Sequence, residues 1–297
     1  MSPVVQVFFD TATSTATYLV SDPATRVAAI IDPVLDFEPK GAVLSTASAD
    51  AVLVAVRDQG LTLAYVLETH AHADHLSAAD CIRRETGARV VIGAEIIRVQ
   101  KAFIPLFEAD DVSADGAAFD ILLKEGDELP LGEISVRVLH TPGHTTACVT
   151  YLIGDAAFVG DTLFMPDYGT ARADFPGGDA ATLYRSIRKL MALPPETRVF
   201  VGHDYLPPGR DSFRWQTTVA EQRAGNIHVH DGVEEAAFVR MRQARDATLA
   251  PPTLILPSLQ VNIRAGALPA PSASGRVFLK LPVTFAETTD AAPPASL

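Results

Sequence analysis

Over the first thirty or so positions, apolar residues come in short runs broken by Asp, Pro and Ser. "VVQVFFD", "ATYLVSD" and "RVAAIIDPV" read as three strands of an antiparallel meander. Helical spacing follows in "SADAVLVAVRDQG", which Ser48 or Asp50 can cap and Gly60 can end. "LAYVLETH" reads as a buried strand, "HLSAADCIRRETG" as a helix closed by Gly87, and "ARVVIGAE" as a further strand. From residue 119 the period returns to two. "FDILLKEGDELPLGEISVRVLHTPG" is expected to form a second meander, and "ACVTYLIGDAAFVGD" a hairpin turning at Gly154 and Asp155. A helix over "GGDAATLYRSIRKLMALP", a strand over "TRVFVGHD" and a mainly helical stretch from 214 to 248 extend the pattern. Beyond 268, Pro, Ala and Ser surround a strand-like patch, "RVFLKLPV", expected to wrap the protein before a frayed end. Two strand-rich halves interleaved with helices predict an α/β architecture: two sheets face to face with helices outside. Residues 1–210 are expected to form the main domain, with 211–297 a helical and extended C-terminal segment packed on it.

Composition adds limits to this picture. A chain of 297 residues with 48% hydrophobic and 20% charged content is globular in type and long enough for a sizeable core. The net charge of −12 argues against unassisted binding to nucleic acid or an anionic membrane surface. No apolar run is long enough to span a bilayer. The opening "MSPVVQVFFDTATST" lacks the features of a secretory signal, so a cytoplasmic location is expected. Cys81 and Cys148 stand far apart, are not expected to form a disulfide, and read as small apolar residues.

Candidate chemistry concentrates where apolar runs end. "THAHADH" places His70, His72, Asp74 and His75 in a strand-to-helix loop, although the chain has only eight histidines. Three other strand ends carry similar groups: His140 and His144 in "VLHTPGHTT", Asp161 in "FVGDTLF", and His203 with Asp204 in "FVGHDY". A single histidine at a strand end is usually an ordinary hydrogen-bonded residue. Four such ends with imidazole or carboxylate groups, one of them dense, point to a metal.

In order and spacing, "THAHADH", "TPGHTTACVTYL", "GDTLF" and "GHDY" resemble the metal motifs of the metallo-β-lactamase superfamily. The resemblance implies the αββα metallo-β-lactamase sandwich, with the site at the sheet edges. Its dinuclear pattern would use His70, His72 and His144 for one ion, Asp74, His75 and His203 for the other, and Asp161 as the bridge. His140 has no place in it. "GTARADFPGGDAATLYRSI" and "LILPSLQVNIRAGALP" further resemble glutathione persulfide dioxygenases (sulfur dioxygenases), and the chain is also similar to the bacterial β-lactamase-like hydrolases grouped with them.

That narrower resemblance implies one Fe(II) per chain, held by His70, His144 and Asp161, with glutathione persulfide and O2 as substrates and sulfite as product. His72, Asp74, His75 and His203 would then surround the iron site or hold a second metal. Arg172, Tyr205, Arg264 and Tyr168 are the candidates for contact with substrate. Two alternatives come with it. One is a dinuclear enzyme with two Zn ions that hydrolyses glutathione thioesters as glyoxalase II does. The other is a non-enzymatic, metal-dependent persulfide sensor. A homodimer and a rhodanese as sulfur donor are the expected partners.

Overall fold

The structure is a computed structural model and describes residues 2–284. The chain opens with β1 (Val4–Asp10), β2 (Thr15–Ser21) and β3 (Val27–Ile31), joined as the expected antiparallel meander. Two short strands follow, β4 (Val34–Glu38) and β5 (Val43–Ser45), which the apolar pattern does not reveal. Helix α1 (Ala47–Asp58) starts one residue ahead of Ser48, so neither Ser48 nor Asp50 is its N-cap. Instead the Asp36 carboxylate, from β4, accepts from the Ser48 backbone N–H at 2.9 Å and from its hydroxyl at 2.7 Å.

Strand β6 (Thr62–Leu67) returns parallel to β3. The segment after His75 is not yet helical: Leu76 and Ser77 form β7, paired with Val34 and Leu35. Helix α2 (Ala79–Thr86) begins only beyond them and ends, as expected, at Gly87 with φ of 75°. Strand β8 (Arg89–Gly93) and helix α3 (Ile96–Phe107) follow. The sequence reading assigned no element to α3, although Ile96, Val99, Phe103 and Phe107 fall on one buried face.

The predicted second meander is split between sheets. Strand β9 (Ile121–Leu123) pairs parallel with β8 and closes the first sheet, in the order β1-β2-β3-β6-β8-β9. The chain then crosses to the second sheet, where β10 (Glu128–Leu131), β11 (Ile134–His140), β12 (Val149–Ile153) and β13 (Ala156–Phe158) run antiparallel. The β12–β13 hairpin turns at Gly154 and Asp155 as predicted. Helix α4 (Ala180–Met191) is capped by Asp179, whose side chain accepts from the Thr182 N–H. After it, β14 (Arg198–Phe200) pairs parallel with β13, and β15 (Gln216–Thr218) finishes the sheet. Helices α5 (Val219–Gly225), α6 (Glu235–Asp246) and α7 (Ile255–Asn262) make up the rest.

Period-two alternation explains the layers. Tyr18, Val20, Ile31 and Leu67 meet Val136, Val138, Tyr151 and Phe158 between the sheets, while Leu19, Ile30 and Val66 face outward onto helices. Leu183 and Ile187 of α4 with Phe238 of α6 cover the outer face of the second sheet. Both faces of the central strands are therefore buried, which is why they read as unbroken apolar runs. "RVFLKLPV" is not a strand. It lies unpaired and largely exposed, held where the Gln260 side chain bonds both backbone groups of Lys280, at 2.8 and 2.9 Å. The expected frayed end falls mostly outside the described residues. Among the described residues no helix is long and apolar enough to cross a membrane, and Cys81 and Cys148 are both free thiols.

Candidate metal centre

Five strands end at one place. Asp32 follows β3, His70 follows β6, His144 lies in the turn between β11 and β12, Asp161 sits in a 3-10 turn after β13, and His203 follows β14. Their ligating atoms fall into adjoining groups. His70, His144 and Asp161 bring one atom each within 4.8 Å of one another, as do His72, Asp74, His75 and His203. A third group, Asp32, Glu68 and His72, lies behind them. Asp161 faces both of the first two groups, with Oδ2 3.7 Å from His144 Nε2 and Oδ1 3.2 Å from His203 Nε2. His203 Nε2 is also 3.2 Å from Asp74 Oδ2.

The rings are aimed by bonds on their far nitrogens. His144 Nδ1–H donates to the Arg172 carbonyl at 2.8 Å, and His75 Nδ1–H to the Leu76 carbonyl at 3.1 Å. His203 Nδ1 lies 3.3 Å from the Ser14 carbonyl. Thr69 donates its hydroxyl to Asp32 Oδ2 at 2.8 Å, so its oxygen accepts from His70 Nδ1–H at 3.0 Å. Each of these bonds selects the tautomer whose Nε2 carries a lone pair toward the centre. His72 is turned the other way: Nε2 lies 3.0 Å from Asp32 and 3.5 Å from Glu68, leaving Nδ1 inward.

Electrostatics follow the packing. Burial, then the neighbouring rings, hold His70 well below its ordinary pKa. Burial and His72 lower His75 to about 3. Both are neutral at pH 7, as a metal requires. Burial also opposes charge on His72, but Asp32 and Glu68 outweigh it and raise that ring well above its ordinary value. Burial raises Glu68, whose other oxygen takes a short hydrogen bond from Ser77.

The donor set fits a metal. The Nε2 atoms of His70, His75 and His203, Nδ1 of His72, Oδ2 of Asp74 and Oδ1 of Asp161 are all buried without a hydrogen bond. So many unpartnered polar atoms in one space are costly unless a cation draws them together.

The other predicted residues separate. Tyr168, Tyr205 and Arg172 line a cavity of about 600 Å³ that reaches His144, Asp161 and Asp74. Tyr205 stacks on His203 with ring centroids 5.7 Å apart, and Tyr168 lies 5.1 Å from Tyr205. The Arg172 guanidinium is committed to Asp174 at 2.5 and 2.7 Å and to the Ala250 carbonyl at 2.8 Å. Arg264 is not brought to this cavity: Asp111 takes both arms of its fork, at 3.0 and 2.5 Å, which makes it a clamp of the C-terminal segment. His140 bonds the Thr146 carbonyl outside the clusters. Sequence reasoning missed Asp32, Glu68, Asn262 and Arg245. Asp32 carried a usable signal, since it ends a strand as the other ligand-type residues do. Arg245, on α6, lines the cavity without an ion-pair partner among the described residues.

A buried cluster of imidazole and carboxylate groups at the sheet edges of an αββα sandwich defines a metal-binding protein of the metallo-β-lactamase type. The chain belongs to the metallo-beta-lactamase superfamily, whose profile matches residues 10–203. A probable metallo-hydrolase of Burkholderia pseudomallei is 51% identical over 290 residues, with 94% of this chain and 98% of that protein covered. The beta-lactamase hydrolase-like protein of Agrobacterium fabrum is also 51% identical over 96% of this chain, which spans 66% of that longer protein. Human mitochondrial persulfide dioxygenase ETHE1 is 30% identical, with 87% of each chain covered. Among solved structures, ETHE1 from Myxococcus xanthus has 34% identity and a TM-score of 0.71, covering 89% of this chain and all of its own.

Proposed function

We propose that the protein is an iron(II) persulfide dioxygenase that oxidises glutathione persulfide with O2. One observation carries this reading: His70, His144 and Asp161 each bring one ligand atom within 4.8 Å of the others, next to the His72, Asp74, His75 and His203 quartet that Asp161 also faces. Two imidazoles and one carboxylate are the donors of a facial triad, the arrangement that leaves positions for both a sulfur ligand and dioxygen. Iron(II) held there would supply the redox chemistry with O2. Overall, the persulfide, O2 and one water give glutathione, sulfite and two protons, so the sulfane sulfur is oxidised and O2 reduced.

The chain's own groups bind and orient. Phe164, Phe175 and Leu254 give the cavity apolar walls, which limits water around the reacting sulfur. Partial burial, then Asp74 and Asp161, raise the Tyr205 pKa well above its ordinary value, so its hydroxyl keeps its proton and can donate to an anionic sulfur. Glutathione carries two carboxylates, and Arg245 is the cation of the cavity left to receive one.

A second reading is favoured by the intact quartet, which offers a full ligand set for another ion. With two zincs, the site would be suited to hydrolysis of a glutathione thioester. Metal analysis of protein purified anaerobically, joined to O2 uptake, separates the two. About one iron per chain, with O2 consumed in step with sulfite, supports the dioxygenase. Zinc at about two per chain, with S-lactoylglutathione cleaved and no O2 uptake from glutathione persulfide, overturns it.

A further inference from the structure

The C-terminal segment reaches into the metal loop through one side chain. Asn262, the last residue of α7, is 4% exposed. Its Nδ2 donates to the carbonyls of His72 and His75, each at 2.8 Å, and its Oδ1 accepts from the Ser77 N–H at 2.8 Å. One amide therefore spans the stretch from which His72, Asp74 and His75 project. Asn262 is itself pinned. Gln100 donates to the Ile263 carbonyl at 3.0 Å, and the Arg264 fork holds Asp111. Gly266, at φ of 83°, brings the backbone so close that a Cβ there would lie 2.8 Å from the Ser77 carbonyl oxygen and 2.9 Å from the Asp80 nitrogen.

We propose that Asn262 is a positioning residue for the metal centre. By tying the His72 and His75 carbonyls together from behind, it fixes the directions of the three loop side chains and so sets how tightly the centre holds its ion. Geometry selects an amide here. Two acceptor carbonyls need two N–H groups from one small planar group, and the Ser77 N–H needs an acceptor on the same group. An aspartate of the same shape would set a carboxylate against both carbonyls. The inference rests on these loop residues facing a metal, not on which reaction the metal serves.

The test uses the full chain with Co(II) alone as probe, without persulfide or thioester, so its outcome is separate from that of the activity assays. Asn262→Ala and Asn262→Asp should weaken Co(II) binding roughly 10–100-fold, the usual range for residues that orient ligands. Their Co(II) visible spectrum should shift as well. Gln260→Ala, which releases Lys280 from the same segment without touching the loop or the bonds that pin Asn262, should melt earlier but bind Co(II) as wild type does. Should the Ala and Asp variants fail to fold, Asn262→Ser, which keeps a single donor, is expected to show a smaller loss of affinity in the same direction. Wild-type Co(II) affinity and an unchanged spectrum in any folded Asn262 variant, however low its melting temperature, overturn the proposal and leave Asn262 a structural residue.

Discussion

Each histidine at the centre answers to a different partner, and that division of labour makes single substitutions informative. Asp32 serves two rings at once: it accepts from the Thr69 N–H at 2.7 Å and the Thr69 hydroxyl, which orients His70, and it lies 3.0 Å from His72 Nε2. Asp32→Asn keeps the shape but puts an N–H where only acceptors fit. Metal affinity is expected to fall roughly 10–100-fold while the fold is retained, as read by chelator competition and far-UV circular dichroism. Arg245 lines the same cavity and belongs to none of the metal-ligand groups. If the proposed dioxygenase reading holds, Arg245→Ala should raise KM for glutathione persulfide about tenfold with kcat nearly unchanged, the pattern of an interaction present equally in ground and transition states. An unchanged KM in steady-state O2 uptake would remove Arg245 from the substrate site.

At the scale of elements, the ligand turns are set by how closely helices approach them. Gly143, just ahead of His144, has φ of 136°, and a Cβ there would collide with the backbone N and Cα of Leu183 in α4. Backbone atoms inside a capped helix cannot yield as a side chain can. Gly143→Ala should therefore cost about 2–5 kcal/mol, the sum of backbone strain and overpacking, and displace His144 as it does so. Chemical denaturation of the metal-free variant checks the stability, and metal content checks the displacement.

The same approach of elements explains what the sequence could and could not reveal. The β1–β3 meander, the β12–β13 hairpin and the end of α2 at Gly87 were legible because each depends on neighbours in the chain. Strand β9 was read into the second meander because alternation reports burial on one side and not which sheet supplies the partner; only its pairing with β8 decides that. The metal motifs were legible because ligand-type residues end apolar runs at four places. Asp32 read as turn punctuation before Pro33, and Asn262 meets the His72 carbonyl across 190 positions, a contact no local pattern encodes.

Across the whole molecule, the C-terminal segment lines part of the cavity, and its ionisable groups tie stability to pH. His228 lies behind the cavity wall, where its Nδ1 accepts from the Thr170 N–H at 3.1 Å. The Thr170 carbonyl in turn receives the buried Arg242 guanidinium at 3.0 Å. Burial, then Arg242 and Arg245, lower the His228 pKa from 6.5 to about 4. A depressed native pKa means that between these values the unfolded chain holds a proton the folded chain does not. The contribution is therefore complete above pH 6.5 and is lost progressively as pH falls to about 4. His70 and His75 act in the same direction in the metal-free protein, whereas His72, with its raised pKa, acts in the opposite one. Comparison of wild type with one variant in the same metal state isolates His228. Asn places an oxygen near the position of Nδ1 and does not titrate, so His228→Asn keeps an acceptor for Thr170. Its unfolding free energy, measured by denaturant titration, should fall less steeply than that of wild type between pH 6.5 and 4, with the two slopes equal above pH 7. Parallel curves throughout would mean that His228 takes up its proton over the same pH range folded and unfolded, so that its place beside Thr170 does not lower its pKa.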